Sequence, residues 1–281
     1  MAPELYARAL LDRLSIADVP DVRQIAATLR VPVHERPLER CEGMLVRIKG
    51  TAKAAIAIKS SIREDSRKRF TVAHELGHLL LPGHDNCGVC ASGVIETWAQ
   101  DVREKEREAN AFAAELLMPS PLLLRLVAGR TPSLGLVESV SDAFKTSLTA
   151  SGYRFAGLTS YAVALVWSES GRTRWAKRSD EFGGWLRLRE QLDSRTVAAD
   201  LFRGIDVPTG AQVVPADAWV DRAQPDATLV EESRLLQSYG AVLTLLWAKE
   251  ADGRSDADDL LEELDPFDFT VRRERWPTRR R

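Results

Sequence analysis

The sequence contains little cysteine, with three residues among 281. So small and odd a number excludes a disulfide framework, and reduced thiols in a cytoplasm are the expected state. No apolar run approaches the roughly 20 residues that a membrane span requires. The first residues lack a basic start, and Asp12 and Asp18 interrupt any apolar stretch, so we expect no secretory signal. We therefore expect a cytoplasmic protein that does not associate with membranes.

Neither sign of charge dominates, because 39 Lys and Arg residues stand against 41 Asp and Glu residues and the net charge is -2. Proteins that bind nucleic acid usually carry a strongly basic domain, so we expect no direct DNA binding. The 44% hydrophobic and 28% charged residues are typical of globular proteins that bury a core. The length suits one large domain or two ordinary ones.

Hydrophobic residues alternate between helical and extended patterns along the chain. A period near 3.6 residues predicts helices, and alternation or a short apolar run predicts strands. The predicted helices cover 4–16, a segment from Asp21, 67–81, 101–118, two stretches within 121–150, 183–193 and 194–203; the predicted strands are two within 43–59 and others at 161–167, 173–176 and 241–247.

His74 and His78 lie four residues apart on the predicted helix 67–81, so both imidazoles project from one face about one turn apart. This spacing lets both bind one zinc ion at roughly 2.0–2.1 Å. Glu75 can reach a water on that metal and take its proton. Histidine is scarce, with four in the chain, so the HExxH pattern is a specific signal. Two metal-free core histidines are the structural alternative.

A catalytic zinc needs a third protein ligand, and the sequence leaves three candidates open. His84 lies ten residues beyond the first histidine, at the spacing of a zinc-protease pattern whose turn glycine is missing here. Glu106 and Glu108, on the predicted helix 101–118, are the others. We favour Glu106 because Asn110, four residues later on the same face, can support it by a hydrogen bond.

Two blocks of sequence resemble the ImmA/IrrE family of metallopeptidases. Residues 69–78 read RFTVAHELGH, and residues 106–119 read EREANAFAAELLMP. The blocks occur in the family's order, and the resemblance extends over roughly residues 20–125. It implies an endopeptidase that cleaves a partner protein, a helix-turn-helix transcriptional repressor, and so relieves repression, often under stress.

The same resemblance implies a thermolysin-like, gluzincin-type site in which His74, His78 and Glu106 are the ligands and Glu75 is the base. One zinc ion per chain is expected, and other divalent metals also tolerate two imidazoles and a carboxylate. The alternative is a non-proteolytic transcriptional regulator or repressor-binding protein with a structural zinc site. Such a site would have no use for the base.

The patterns predict an α+β protein of two domains. A zincin-like metallopeptidase domain, with a helical bundle portion at 121–155, is expected over residues 1–155. A smaller mixed α/β domain is expected over 156–250; the sequence does not assign its role, for which sensing and substrate binding are the two candidates. The acidic and then basic blocks of 251–281 are typical of solvated, disordered segments.

Cys87 and Cys90 form a CxxC pattern near His84. Two thiolates and an imidazole suit a metal site or a redox pair, and two incidental thiols in a loop are the alternative. The strand at 54–58 is a candidate for pairing with an extended substrate peptide, with an ordinary core strand as the alternative.

Residues 136–156 resemble a helix-turn-helix in outline but offer few basic side chains to a DNA groove. Two short packed helices would show the same pattern. Tyr153 and Arg154, near the end of this segment, are candidates for stabilising an oxyanion during catalysis. A buried tyrosine and a surface arginine are the alternative.

Overall fold

The computed structural model describes residues 2–48, 51, 53–84, 100–182, 187–221, 223–224 and 226–248. These residues fold into two compact units. The first contains the described residues up to Leu122 together with Asp142–Ser147, and the second contains Leu123–Ser141 and the described residues from Leu148 onward. The domain boundary near residue 155 stays a prediction, and the tail 251–281 lies outside the described residues.

The first unit joins helices to a small sheet. In chain order its elements are α1 (Pro3–Arg13), α2 (Val22–Thr28), β1 (Val33–Arg36), β2 (Gly43–Arg47), β3 (Ala54–Lys59), α3 (Asp65–Leu80) and α4 (Gln100–Leu117). The central strand is β3, which pairs parallel with β1 and antiparallel with β2.

This order corrects one expectation about the strand at 54–58. Since β3 is paired on both sides, its backbone cannot add a substrate strand, and the residues are an ordinary core strand. Among the described residues, β2 has a strand partner on one side only. Strand β2 is thus one of the two edge strands of this sheet, and it packs beside α3.

Local chemistry explains where these elements begin and which faces they bury. The Asp21 side chain accepts hydrogen bonds from the N–H groups of Arg23 and Gln24, which caps α2. Pro3 opens α1, where a fixed φ and a missing donor cost nothing. Along β3 burial alternates, so every second side chain points into the core. The core of this unit includes Leu11, Ile25, Leu45, Ile56, Ile58, Val72, Leu76, Phe112 and Leu116.

A fully buried carboxylate, Glu115, fastens the end of α4. It accepts hydrogen bonds from Arg8 Nε at 2.8 Å, from the Ser120 backbone N–H at 3.0 Å and from the Ser120 hydroxyl at 2.7 Å. A buried anion is tolerated only when it is paired and hydrogen-bonded. Glu115, the last acid of the second sequence block, thus links α1 to α4 and fixes the turn of the chain that follows α4.

The second unit is built around a five-stranded antiparallel sheet. Its helices are α5 (Ser120–Val127), α6 (Leu134–Phe144), α7 (Leu148–Ala156) and α8 (Val197–Phe202). The first residues of α5 and the last residues of α6 belong to the first unit. Its strands are β4 (Val163–Glu169), β5 (Arg172–Arg178), β6 (Arg187–Leu188), β7 (Gln212–Pro215), β8 (Val220–Asp221), β9 (Thr228–Leu236) and β10 (Ala241–Trp247). The sheet order is β5-β4-β10-β9-β7, and β6 pairs with β8. Buried side chains of β4, β10 and β9 pack with Phe182 and Trp219 in a core of their own.

The mixed α+β class is confirmed, with two corrections in the second unit. The helix predicted at 183–193 is wrong over its described part, because residues 187–188 form β6. Strands β7, β8 and β9 were not predicted. Among the described residues no single helix has the length and hydropathy of a membrane span, although the bent pair Arg103–Leu117 and Ser120–Val127 reaches those values jointly.

Candidate metal centre

Two packed helices supply the candidate site. The first is α3, which carries His74, Glu75 and His78, and the second is α4, which carries Glu106 and packs closely on α3. Gly77 lies at the contact, where a Cβ atom would be 3.2 Å from both the Cα and the carbonyl oxygen of Ala109. A glycine therefore allows the two backbones the close approach that brings Glu106 to the histidines.

Three ligand atoms converge at this contact. The Nε2 atoms of His74 and His78 are 3.1 Å apart. The Glu106 carboxylate places one oxygen 3.2 Å from Nε2 of His74 and the other 3.3 Å from Nε2 of His78. In a tetrahedral zinc site with bonds of roughly 2.0–2.1 Å, ligand atoms are about 3.3 Å apart. The spacing fits a zinc ion, and His74, His78 and Glu106 could hold a metal.

The partners of the Nδ1 atoms determine where the ring protons lie. Nδ1 of His74 is 2.9 Å from Oδ1 of Asn110, and an amide oxygen only accepts hydrogen bonds. The proton of a neutral His74 is therefore on Nδ1, and its Nε2 presents a lone pair. Asn110 lies beside His74, one helical turn beyond Glu106.

Charge within the cluster shifts its pKa values in different directions. Burial lowers the pKa of His78, and the neighbouring histidines lower it further. Burial would also lower the pKa of His74, but the hydrogen bond that the protonated ring donates to Glu106 and the charges of Glu75 and Glu106 outweigh it and raise that pKa. Burial would raise the pKa of Glu106, yet its contacts with both histidines lower it. Glu106 is thus an anion at neutral pH, as a metal ligand must be.

Glu75 is buried, with 1% of its surface exposed, and it faces Gly43 of β2. Its negative charge reaches two neighbours. It helps to raise the pKa of His74, and, after the larger effect of burial, it also raises the pKa of the Cys41 thiol. The acid next to the first histidine therefore lies at the site and not on a solvated helix face.

Strand β2 is tied to α3 at both of its ends. Arg67 donates from Nε to the Glu42 carboxylate at 2.8 Å, just before the strand. Arg47, at the end of the strand, donates to the backbone carbonyl of His78. The sequence analysis did not identify Gly43, Arg47 or Arg67 as residues near the site. The spacing of a single arginine or glycine does not show that it will pack against a helix from another part of the chain.

His84 and Glu108, the other candidates for the third ligand, lie beside His78 and outside the group of converging ligand atoms. Nδ1 of His84 is 2.9 Å from Nδ1 of His78, and Nε2 of His84 is 2.8 Å from Oε2 of Glu108. Both contacts are on the far side of the His78 ring from Glu106. Sequence spacing alone could not separate a ligand from the partner of a ligand.

Tyr153 and Arg154, the candidates for stabilising an oxyanion, lie in the second unit. The ring of Tyr153, on α7 in the second unit, packs on Trp175 with centroids 6.5 Å apart, and Lys177 Nζ lies 5.5 Å from its centre. Arg154 follows it on the same helix. A role for either in catalysis stays a prediction. Cys87 and Cys90 lie outside the described residues.

Comparison with known proteins confirms the family resemblance. Residues 26–156 match the IrrE N-terminal-like domain. The chain is 28% identical over 161 residues to the radiation response metalloprotease IrrE of Deinococcus radiodurans, covering 54% of this chain and 48% of that protein. It is 30% identical over 163 residues to the radiation response metalloprotease IrrE of Deinococcus deserti, covering 54% and 53%. The chain spans about half the length of these curated relatives.

One solved structure resembles the chain in fold. The structure of a Mycobacterium tuberculosis transcriptional regulator aligns with a TM-score of 0.52 and 13% identity, covering 88% of this chain and 76% of that chain. At such low identity the likeness concerns the fold alone.

Proposed function

The chain resembles the ImmA/IrrE family, with the IrrE N-terminal-like domain at residues 26–156, and on that premise we propose that it is a zinc-dependent endopeptidase of the gluzincin type. Its ligands are His74, His78 and Glu106, and Glu75 is the general base. The zincin-like architecture of residues 1–155 and a cytoplasmic site of action are parts of this proposal.

The observation that carries the proposal is the convergence of three acceptors on one point. Two Nε2 atoms 3.1 Å apart, each with a lone pair when its ring is neutral, and an anionic carboxylate within 3.3 Å of both repel one another unless a proton or a metal cation lies between them. Divalent zinc prefers this donor set. A purely structural site closes with four protein ligands, whereas the described residues supply three here and place an acid beside them.

The protein groups divide the work of peptide hydrolysis between them. When bound, zinc supplies Lewis-acid polarisation and lowers the pKa of a bound water toward ~7. Glu75, buried beside His74, would serve as the general base that accepts a proton from the attacking water. It then delivers the proton to the departing amine. Gly43 leaves room for Glu75 beside β2, and the hydrogen bond from Arg47 to the His78 carbonyl keeps β2 next to α3.

The proposed substrate is a helix-turn-helix repressor whose cleavage relieves repression under stress. Two points support this proposal. The matching relatives are radiation response metalloproteases, and the sequence blocks resemble a family that cleaves such repressors. An extended substrate segment would add to the exposed edge of β2, because that strand lies beside α3 and is paired by described residues on its β3 side only.

Co-incubation with the product of the adjacent gene, as a candidate repressor, tests the function. We expect one defined cut, detected by mass spectrometry of the products. Glu75→Gln should retain zinc and lose cleavage by about 10²- to 10⁴-fold, the contribution of a general base. Glu104→Gln, an exposed acid on α4, is the matched control and should cleave like wild type. A Glu75→Gln variant that still cleaves, or that performs every cellular function as well as wild type, would show that the protease assignment is wrong.

A further inference from the structure

His84 is a fully buried histidine outside the proposed ligand set. Helix α3 ends at Leu80, and Gly83 then has a φ of +81°, a left-handed conformation that glycine adopts without strain. This turn returns the chain to the helix, so that the rings of His84 and His78 have centroids 5.0 Å apart. His84 thereby meets the Nδ1 side of His78, whereas Glu106 lies on its Nε2 side.

Hydrogen-bond chemistry gives this contact a direction. The Glu108 carboxylate only accepts, so Nε2 of His84, at 2.8 Å, is the donor. A neutral His84 then has only a lone pair at Nδ1, which lies 2.9 Å from Nδ1 of His78. His78 consequently carries its proton on Nδ1. Its Nε2 faces His74 and Glu106 with a lone pair.

We propose that His84 and Glu108 are positioning residues, which hold His78 in the tautomer and ring orientation required to bind the metal. This inference rests on the proposed function, because it assumes that the metal binds to Nε2 of His78. Groups that accept the second ring proton of a metal-bound histidine fix its tautomer and raise its basicity.

The two histidines of the site are supported in different ways. His74 has a single amide partner, Asn110, at 2.9 Å. His78 has a second imidazole, which passes the hydrogen bond to a carboxylate whose side chain is 41% exposed. Both arrangements depend on α4, which carries Asn110, Glu108 and the proposed ligand Glu106. The support therefore assembles together with the site when α4 packs on α3.

The first test measures the zinc affinity of the full chain by competition with a chromogenic chelator. We expect Glu108→Ala and His84→Ala each to weaken zinc binding by about 10- to 100-fold, as expected for loss of a ligand's outer partner. Because both act through one chain of hydrogen bonds, the double variant should lose no more than His84→Ala. Glu104→Ala is the matched control. Wild-type affinity in folded Glu108→Ala, whose side chain is partly exposed and dispensable for the core, overturns the proposal.

The second test determines the tautomer of His78 in the metal-free protein by ¹⁵N NMR of the ring nitrogens. Wild type should be protonated at Nδ1, and His84→Ala should shift protons to Nε2. In His84→Gln the amide oxygen can accept the same proton, so this variant should recover the wild-type tautomer. A wild-type His78 protonated at Nε2 overturns the proposal. If zinc binding depends on His84 as expected and no substrate is cut, only the proposed function fails.

Discussion

A Cβ atom on Gly43 would lie 2.4 Å from Oε1 of Glu75 and 2.6 Å from Cγ2 of Thr71. Protein Cβ atoms do not approach other heavy atoms so closely, so no side chain fits at this position of β2 while Glu75 keeps its place. The glycine thus reserves the space of the proposed base.

Replacing this glycine should separate catalysis from metal binding. In Gly43→Ala we expect Glu75 to move, and a displacement near 1 Å costs about 10²-fold in rate. Zinc content should not change, because the three atoms nearest the added methyl group belong to Glu75 and Thr71 and not to the proposed ligands. Peptidase assays and metal analysis of the same sample measure both. Gly135→Ala, where the heavy atom nearest the new Cβ is the Ser133 hydroxyl oxygen at 3.9 Å, is the control. A Gly43→Ala variant as active as wild type contradicts the assignment.

Gly77 should limit how closely α3 and α4 approach. In Gly77→Ala the new Cβ would be 3.2 Å from backbone atoms of Ala109 and from the Phe112 ring. Overpacking of this kind costs about 1–3 kcal/mol, which outweighs the gain of up to ~1 kcal/mol from helix propensity. We expect a lower urea midpoint and, since Glu106 moves with α4, weaker zinc binding. A more stable variant with unchanged zinc affinity would show that the contact does not position Glu106.

Removal of the carboxylate charge should remove the metal. Glu106→Gln keeps the size of the side chain but leaves a neutral oxygen and two donors facing the Nε2 lone pairs. We expect zinc affinity to fall by more than the about 10- to 100-fold that loss of an outer partner causes. Inductively coupled plasma measurements and chelator competition report this directly, with Glu104→Gln as control. A variant that retains stoichiometric zinc at wild-type affinity identifies another third ligand.

In the second unit, the pKa of Asp193 is lowered from 3.8 to about 2, because the Arg195 side chain and then its backbone N–H donate to the carboxylate. A depressed pKa means that this interaction stabilises the folded state above pH 3.8 and is lost as the pH falls through about 2. In Arg195→Gln the Asp193 midpoint, followed by carboxyl ¹³C NMR, should rise toward 3.8. The stability difference from wild type in urea should vanish in strong acid. If the titration midpoint of Asp193 does not change in Arg195→Gln, a group other than Arg195 lowers the pKa of Asp193.

Much of the first unit follows from local sequence. Helices α1, α3 and α4 lie close to the predicted spans, because a helix buries one face and its apolar residues must recur with its period. The same period places His74 and His78 one turn apart wherever the helix lies. The relation between the two histidines and Glu75 is therefore a property of the sequence.

The sequence analysis did not predict the strands whose burial or pairing depends on residues far away in the chain. Strand β9 contains Glu231 and Glu232, and charged residues usually count against a buried strand. Yet Glu231 is fully buried, because its carboxylate accepts hydrogen bonds from the backbone of Val197 and Ala198 and from the Trp219 indole. Those partners lie more than ten residues away. The short β1, mostly exposed, is likewise defined by its parallel pairing with β3.

The sequence by itself determined the histidine pair, the adjacent acid and the helices that carry them, because helical geometry is local. It favoured Glu106 as the third ligand but left Glu108 and His84 open as alternatives. Only the tertiary structure separated them, because the packing of α4 on α3 at Gly77 and the turn at Gly83 decide which donor meets Nε2 of a histidine and which meets Nδ1. Those contacts join segments far apart in the chain, and no residue spacing encodes them.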